Sequence, residues 1–349
     1  MIFQYPREFP ADECESTVPD AATAQRLVRE RRPELLELLA ARRRRFAPMI
    51  AGRADAPIVG AENAVLIAYC RLAFRHGSWG HDFHHYHNEH HIYEILGPRI
   101  ERLIDAIGID ALSLRDWFLL ALFAAAHDLR QREAPLYEAG IGSNERASIE
   151  EAFRILKLCG FTPERNAEVF LGIELMIGGS TFDARSPPQQ EFNSVDNIVQ
   201  SGGALAQKMD RKLDKHVPGW RDDARLVHGL SLATIAADLD TANVAERFPL
   251  FMASTERLCL EREMRSHRNT VDEASKQPVL SFLTSGQEHY FFDLHRFSSE
   301  AGRRTFAGAK EANTERMRAL ITALRTRAAG AINGDAVLNM FRQIVTEVA

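Results

Sequence analysis

A chain of 349 residues is long enough to bury a large core. Its 45% hydrophobic and 26% charged residues are those of an ordinary globular protein, and a net charge of −5 supplies no overall basic footprint for nucleic acid. The four cysteines, Cys14, Cys70, Cys159 and Cys259, contain no C-x-x-C pair, which argues against a zinc finger or a disulfide frame and for reduced thiols in a cytoplasmic protein.

The opening stretch MIFQYPREFPADECE is too acidic and polar for a signal peptide. Ala21 to Phe46 predicts helix, interrupted at Pro33 and closed by the basic run Arg42 to Arg45, which reads as a solvated helix end favoured by the dipole. Ala51 to Gly60 is rich in Gly, Ala and Pro and reads as a linker. Residues 1–60 are therefore expected to form an N-terminal helical extension, and residues 61–349 the main domain. In that domain Val65, Leu66, Tyr69, Leu72 and Ala73 share a helical face. After a loop from His76 to Tyr86, the residues Ile92, Ile95, Leu96, Ile100, Leu103 and Ile107 keep helical periodicity, with a kink expected at Pro98. Ser113 and Asp116 predict a capping box opening a central helix to Leu129; its apolar run, Trp117 to Ala126, is too short to span a bilayer. Ser143 or Asn144 is expected to cap the next helix, which stops at Gly160. Helices follow at about Glu164–Ile177, Ala204–Leu213, Asp222–Asp240, Val244–Met264, Pro278–Phe297, Ala309–Ala329 and Asp335–Val348. A polar loop from Gly178 to Asn193 is expected to be exposed and to border a site, and Asn333-Gly334 reads as a turn between helices. The fold class is all-α.

Six of the thirteen histidines lie between His81 and His91. Burying imidazole without a partner is unfavourable, so the crowding calls for a ligand, and mixed His and carboxylate sets suit divalent metals. His87 and His91 are four apart, the spacing of one helical face. His127 and Asp128 stand together at the end of the central helix, and Asp238 interrupts an apolar helical stripe. His91, His127, Asp128 and Asp238 would balance one divalent ion, and Asp128 can bridge to a second; two ions clamp a phosphate and generate hydroxide near neutral pH. His87, left over, can protonate a leaving alkoxide. His81, His84, His85 and His90 read as loop residues or as supports behind the ligands.

The order Tyr86-His87-Asn88-x-x-His91, His127-Asp128 and Ala237-Asp238-Leu239 resembles the HD-superfamily metal phosphohydrolases, and most of all the catalytic domain of class I cyclic-nucleotide phosphodiesterases. The resemblance covers roughly Tyr69 to Phe297. It implies a multi-helix HD-domain bundle holding two divalent ions drawn from Zn, Mn, Fe and Mg. His91, His127, Asp128 and Asp238 are the implied ligands and His87 the general acid. It further implies that Gln287 holds a purine edge and that Tyr290 or Phe291 stacks on the base. Asn144-Glu145-Arg146-Ala147-Ser148 matches an Asn-Glu-x-x-Ser run of other HD phosphohydrolases, so Asn88, Asn144 and Glu145 are expected to support the ligands. The family's Asp and His, two and three residues after the HD aspartate, are here Arg130 and Gln131. That histidine orders water around the second ion, and Glu145, Glu150 and Glu151 are the carboxylates left to replace it.

The implied reaction is opening of a 3′,5′-cyclic nucleotide to the 5′-monophosphate. Alternatives are hydrolysis of a nucleotide monophosphate, a cyclic dinucleotide or another phosphoester, a di-iron HD oxygenase, and a nucleotide sensor without turnover. The expected partner is a small-molecule nucleotide or phosphoester, with neither nucleic acid nor membrane; the oligomeric state is left open.

Overall fold

Helical patterning becomes helix nearly throughout, and the all-α expectation is borne out. The computed structural model describes residue 2 and residues 7–52, 56–133, 141–183 and 203–349. Among these the one sheet is an antiparallel pair of two-residue strands, β1 (Phe182–Asp183) and β2 (Gly203–Ala204). The chain divides into two units, Met1–Phe83 with His87–Asp240, and His84–Tyr86 with Thr241–Ala349. The segment expected to stand apart as an N-terminal extension thus belongs to the first unit.

That unit begins with α1 (Glu13–Thr17), α2 (Ala21–Arg31), α3 (Pro33–Arg45), α4 (Ala47–Ile50) and α5 (Ala56–Arg75). Pro33 ends one helix and starts the next, because its ring fits the first helical turn and lacks only an N–H that would be unpaired there. Val65, Leu66, Tyr69, Leu72 and Ala73 on α5 are all buried. Pro57–Arg75 is long and apolar enough to cross a membrane, a property the run from Trp117 had obscured, yet 72% of that window is buried within the protein.

Arginines bind the N-terminal segment to α5. Arg71 and Arg75 reach Glu15 (3.0 Å) and Asp12 (2.8 Å), and Arg130 reaches Asp12 at 2.6 Å and the Pro10 carbonyl at 2.9 Å. Buried Glu151 sits among them, 3.0 Å from Arg75 and 3.5 Å from Arg71. The basic run on α3 is not simply solvated. Arg42 is buried and bonds Glu101 (2.8 Å), which also receives Arg45 (2.9 Å). A helix end that looks like a charged surface in sequence thereby ties α3 to α7 (Ile100–Ile107).

Ahead of α7, α6 (Glu89–Glu94) leads through a wide turn, Ile95–Arg99, that contains Pro98. The i→i+5 pattern there absorbs the missing proline N–H, so the expected kink takes the form of a π-turn. The predicted capping box of Ser113 and Asp116 opens α8 (Leu114–Ala126), which is buried along most of its length. Among the described residues α9 (Ser143–Leu158), α10 (Ala167–Ser180) and, after β2, α11 (Met209–His216) follow. The polar loop expected from Gly178 begins as the end of α10 and β1; its residues beyond Asp183 lie outside the described residues. The unit closes with α12 (Ala224–Asp240), packed closely on α10 where Gly229 meets Leu175: a Cβ on Gly229 would stand 2.6 Å from Leu175 Cδ1.

The second unit holds α13 (Phe248–Arg265), α14 (Lys276–Ser281), α15 (Glu300–Ala312), α16 (Thr314–Arg327) and α17 (Gly334–Val348). Its core includes Phe251, Phe291, Phe306, Leu320, Val337 and Phe341. The helix expected over Ala309–Ala329 is broken at buried Asn313, whose amide donates to the carbonyls of Val244 and Glu246, both at 2.9 Å. Asn333 caps α17, as a turn between helices requires. Two further π-turns, Phe282–Gly286 and His289–Leu294, flank Gln287.

Candidate metal centre

Four side chains of the first unit converge where three helices end. His127 is the C-cap of α8, with Asp128 next to it; His91 lies on α6; Asp240 is the last residue of α12. Packing holds such helix ends rigidly while their side chains remain free to project. His91 Nε2 is 3.1 Å from Asp240 Oδ1 and 3.7 Å from Asp128 Oδ2. His127 Nε2 is 3.1 Å from Asp128 Oδ2 and 3.4 Å from Asp240 Oδ1. Ligand atoms about 2.1 Å from a shared ion lie about 3.0–3.4 Å apart in octahedral or tetrahedral geometry. Three of these spacings match that range and the fourth, His91 to Asp128, is wider; His91, His127 and Asp240 could hold a metal ion.

The hydrogen bonds around His127 say which nitrogen is the ligand. Nδ1 lies 3.2 Å from the carbonyls of Phe123 and Ala124, which can only accept, so it carries the proton. Nε2 then presents a lone pair to two carboxylates without making a hydrogen bond, and Asp128 Oδ2 likewise makes none. Electron pairs facing carboxylates in a buried site call for a cation. Burial opposes charge on His127, yet Asp128 and Asp240 hold its imidazole well above the usual range. Against the same burial, His127 and His91 hold Asp240 well below it, and His127 and His87 lower Asp128. Burial pushes His91 down.

Among the described residues, the group that could hold an ion here contains Asp240, which was not in the expected set, and not Asp238, which was. The two are two residues apart on α12, about 200° around an ideal helix. Asp238 is buried too. Asp240 left a signal in the sequence: a carboxylate in the last turn opposes the helix dipole, an unfavourable placement without compensation. Here Arg99 supplies part of it. Its buried guanidinium donates to the carbonyls of Leu239 (3.1 Å) and Asp240 (2.6 Å), fixing the backbone that carries the ligand. Sequence reasoning missed Arg99.

His87 does not share a helix with His91. It precedes Asn88, which caps α6 by accepting from His90 N–H at 2.9 Å. The two rings still lie close, centroids 6.3 Å apart, and His87 is near enough to Asp128 to stabilise its charge. Asn88 thus starts the helix that carries His91. Glu89, buried, holds Ser78 N–H (3.1 Å) and anchors the same helix start. His90 is exposed beside Glu94. In the second unit, His84 stands 3.3 Å from Glu261.

Asn144 is not the N-cap of α9; Gly142 is. Its side chain reaches instead to the strand of chain that follows the HD pair, accepting from Glu133 N–H at 3.0 Å. Ser148 Oγ accepts from Arg130 N–H (3.1 Å), and His76 Nε2 accepts from Gln131 N–H (3.2 Å). The Asn-x-x-x-Ser spacing thus pins the backbone beside Asp128. Glu145 folds its carboxylate over Gly142, where no Cβ would fit, and burial, with Asp128 adding to it, pushes its carboxyl up to about 7. Asp128, His87 and His127 are near enough for their charges to act on it.

The residues expected to bind a base lie in the second unit. Gln287 is buried between the π-turns. Tyr290 is partly exposed, its ring 5.7 Å from that of His295. Phe291 cannot stack on a base: its ring is buried, stacked 5.8 Å from Phe251 with Lys310 Nζ 4.8 Å from its centroid. Core packing has claimed it.

No protein-family model matches this chain, and no curated protein is significantly similar to it.

Proposed function

We propose that this chain is a metal-dependent phosphohydrolase whose centre is His91, His127, Asp128 and Asp240. The reading is carried by one observation: two imidazoles and two carboxylates converge within 3.1–3.7 Å, with the lone pair of His127 aimed at the acids. A divalent ion bound among them would polarise a phosphoryl oxygen and lower the pKa of water. The chain's own residues supply the rest. The two aspartates balance the charge of one divalent ion. The carbonyls of Phe123 and Ala124 hold His127 in the tautomer that ligates. His87 stands beside the centre as proton donor to the leaving oxygen. Glu145, with a carboxyl near neutrality, is placed to hold or release a proton there.

A 3′,5′-cyclic nucleotide is the first substrate class, and buried Phe291 is withdrawn as a residue that stacks on its base. A nucleotide monophosphate, cyclic dinucleotide or other phosphoester is the second reading. It is favoured by Asn144 and Ser148, which grip the chain after the HD pair as the Asn-Glu-x-x-Ser resemblance would have it. The test is a panel of cAMP, cGMP, cyclic dinucleotides, 5′-monophosphates and an aryl phosphodiester, with Mn²⁺ or Mg²⁺, beside Asp128→Ala. Turnover by wild type alone supports the reaction class and names the substrate. Silence across the panel overturns it and favours a sensor or, with iron and a visible absorption band, a di-iron oxygenase.

A further inference from the structure

We infer that this centre is built for one divalent ion and not two, and that Gln131 is the residue that decides it. The inference rests on the metal-centre reading above and concerns the two oxygens of Asp128. Oδ2 faces the imidazoles, 3.1 Å from His127 and 3.7 Å from His91. Oδ1 accepts from Gln131 Nε2 at 2.6 Å. An aspartate that bridges through both oxygens offers one to each ion, and here the second oxygen already faces the positive end of an amide dipole.

The orientation of that amide follows from the backbone. Glu133 N–H needs an acceptor and has Asn144 Oδ1 at 3.0 Å. Asn144 therefore turns its Nδ2 outward, donating to Gln131 Oε1 at 3.3 Å. With its oxygen so engaged, Gln131 has only its NH₂ to give Asp128. Gln131 and Asp128 are both buried, and Gln131 N–H is itself held by His76 Nε2, so the amide cannot swing away without leaving buried polar groups unpaired. The chain Glu133–Asn144–Gln131–Asp128 is thus a positioning relay. It orients Oδ2 toward the single ion, occupies one lone pair of Oδ1, and sets the positive edge of an amide where a second ion would approach.

The test counts metal. Wild-type protein stripped with a chelator, equilibrated with Mn²⁺ and freed of excess is assayed by elemental analysis and electron paramagnetic resonance. One ion per chain, with the spectrum of an isolated Mn²⁺, is the expected result. Two ions, or the spectrum of an exchange-coupled pair, overturn the inference while leaving the metal centre standing. No bound ion overturns the centre itself. Gln131→Glu removes the donor and adds a carboxylate beside Oδ1. A second ion in that variant assigns the limit to Gln131; a single ion in a folded variant, judged by circular dichroism, refutes the role given to it.

Discussion

Replacing Asp12 by Asn tests how the N-terminal segment is held. The carboxylate accepts from Arg75 Nε and Nη2, each at 2.8 Å, and from Arg130 Nη1 at 2.6 Å. Burial raises its pKa, but Arg75 and Arg130 outweigh burial and take it from 3.8 to about 2. At about 1.4 kcal/mol per pH unit that difference is worth about 2.5 kcal/mol. The side chain is a third exposed, so solvent screening reduces the figure to about 1–2 kcal/mol. Asn keeps the shape and loses the charge. Above pH 3.8 both folded and unfolded states are ionised, and the contribution is whole. Between 3.8 and about 2 the unfolded state takes its proton first, so stability falls with pH; below about 2 nothing remains. Urea and thermal unfolding of wild type and Asp12→Asn, followed from pH 7 to pH 2, should show a gap of about 1–2 kcal/mol that closes over the last two pH units. Equal stability at pH 7, or a gap constant down to pH 2, would refute the reasoning.

His87→Ala should keep full metal content and lose about 10²- to 10⁴-fold in turnover of whichever phosphoester is cleaved, as expected of a proton donor; unchanged turnover removes it from the mechanism. Arg99→Met takes away the donor to the carbonyls of Leu239 and Asp240, and metal affinity measured by titration should fall about 10- to 100-fold. An unaltered affinity would show that Asp240 needs no such support. Gly229→Ala forces a methyl against Leu175 Cδ1 and should destabilise the first unit by about 1–3 kcal/mol in urea. A neutral effect would mean that Leu175 moves aside freely.

Most of the helices were legible because apolar periodicity and capping residues are local. Ser113 with Asp116, Pro33 and Asn333 act within one turn, and each performs as its spacing suggests. What the sequence concealed depends on partners distant along the chain. Arg42 reads as a solvated end until Glu101 is brought beside it. Asn144 reads as a cap until the chain after Asp128 folds back within its reach. Phe291 reads as a stacking platform until Phe251 covers it. At the centre, His91, His127 and Asp128 were visible from residue type and order. Asp240 was passed over, because Asp238, a carboxylate in an apolar stripe two residues earlier, drew attention from one at a helix end. That local irregularity was the better clue, since a dipole-opposing Asp240 has to be compensated by something outside its own helix.

The account stands most directly on Asp240. Mn²⁺ titration and phosphoester turnover, measured on wild type and on Asp240→Ala of confirmed helical content, test it in one experiment. The prediction is that wild type binds the ion and turns over at least one phosphoester, while Asp240→Ala loses both. Full metal content and undiminished turnover in Asp240→Ala would contradict the centre described here.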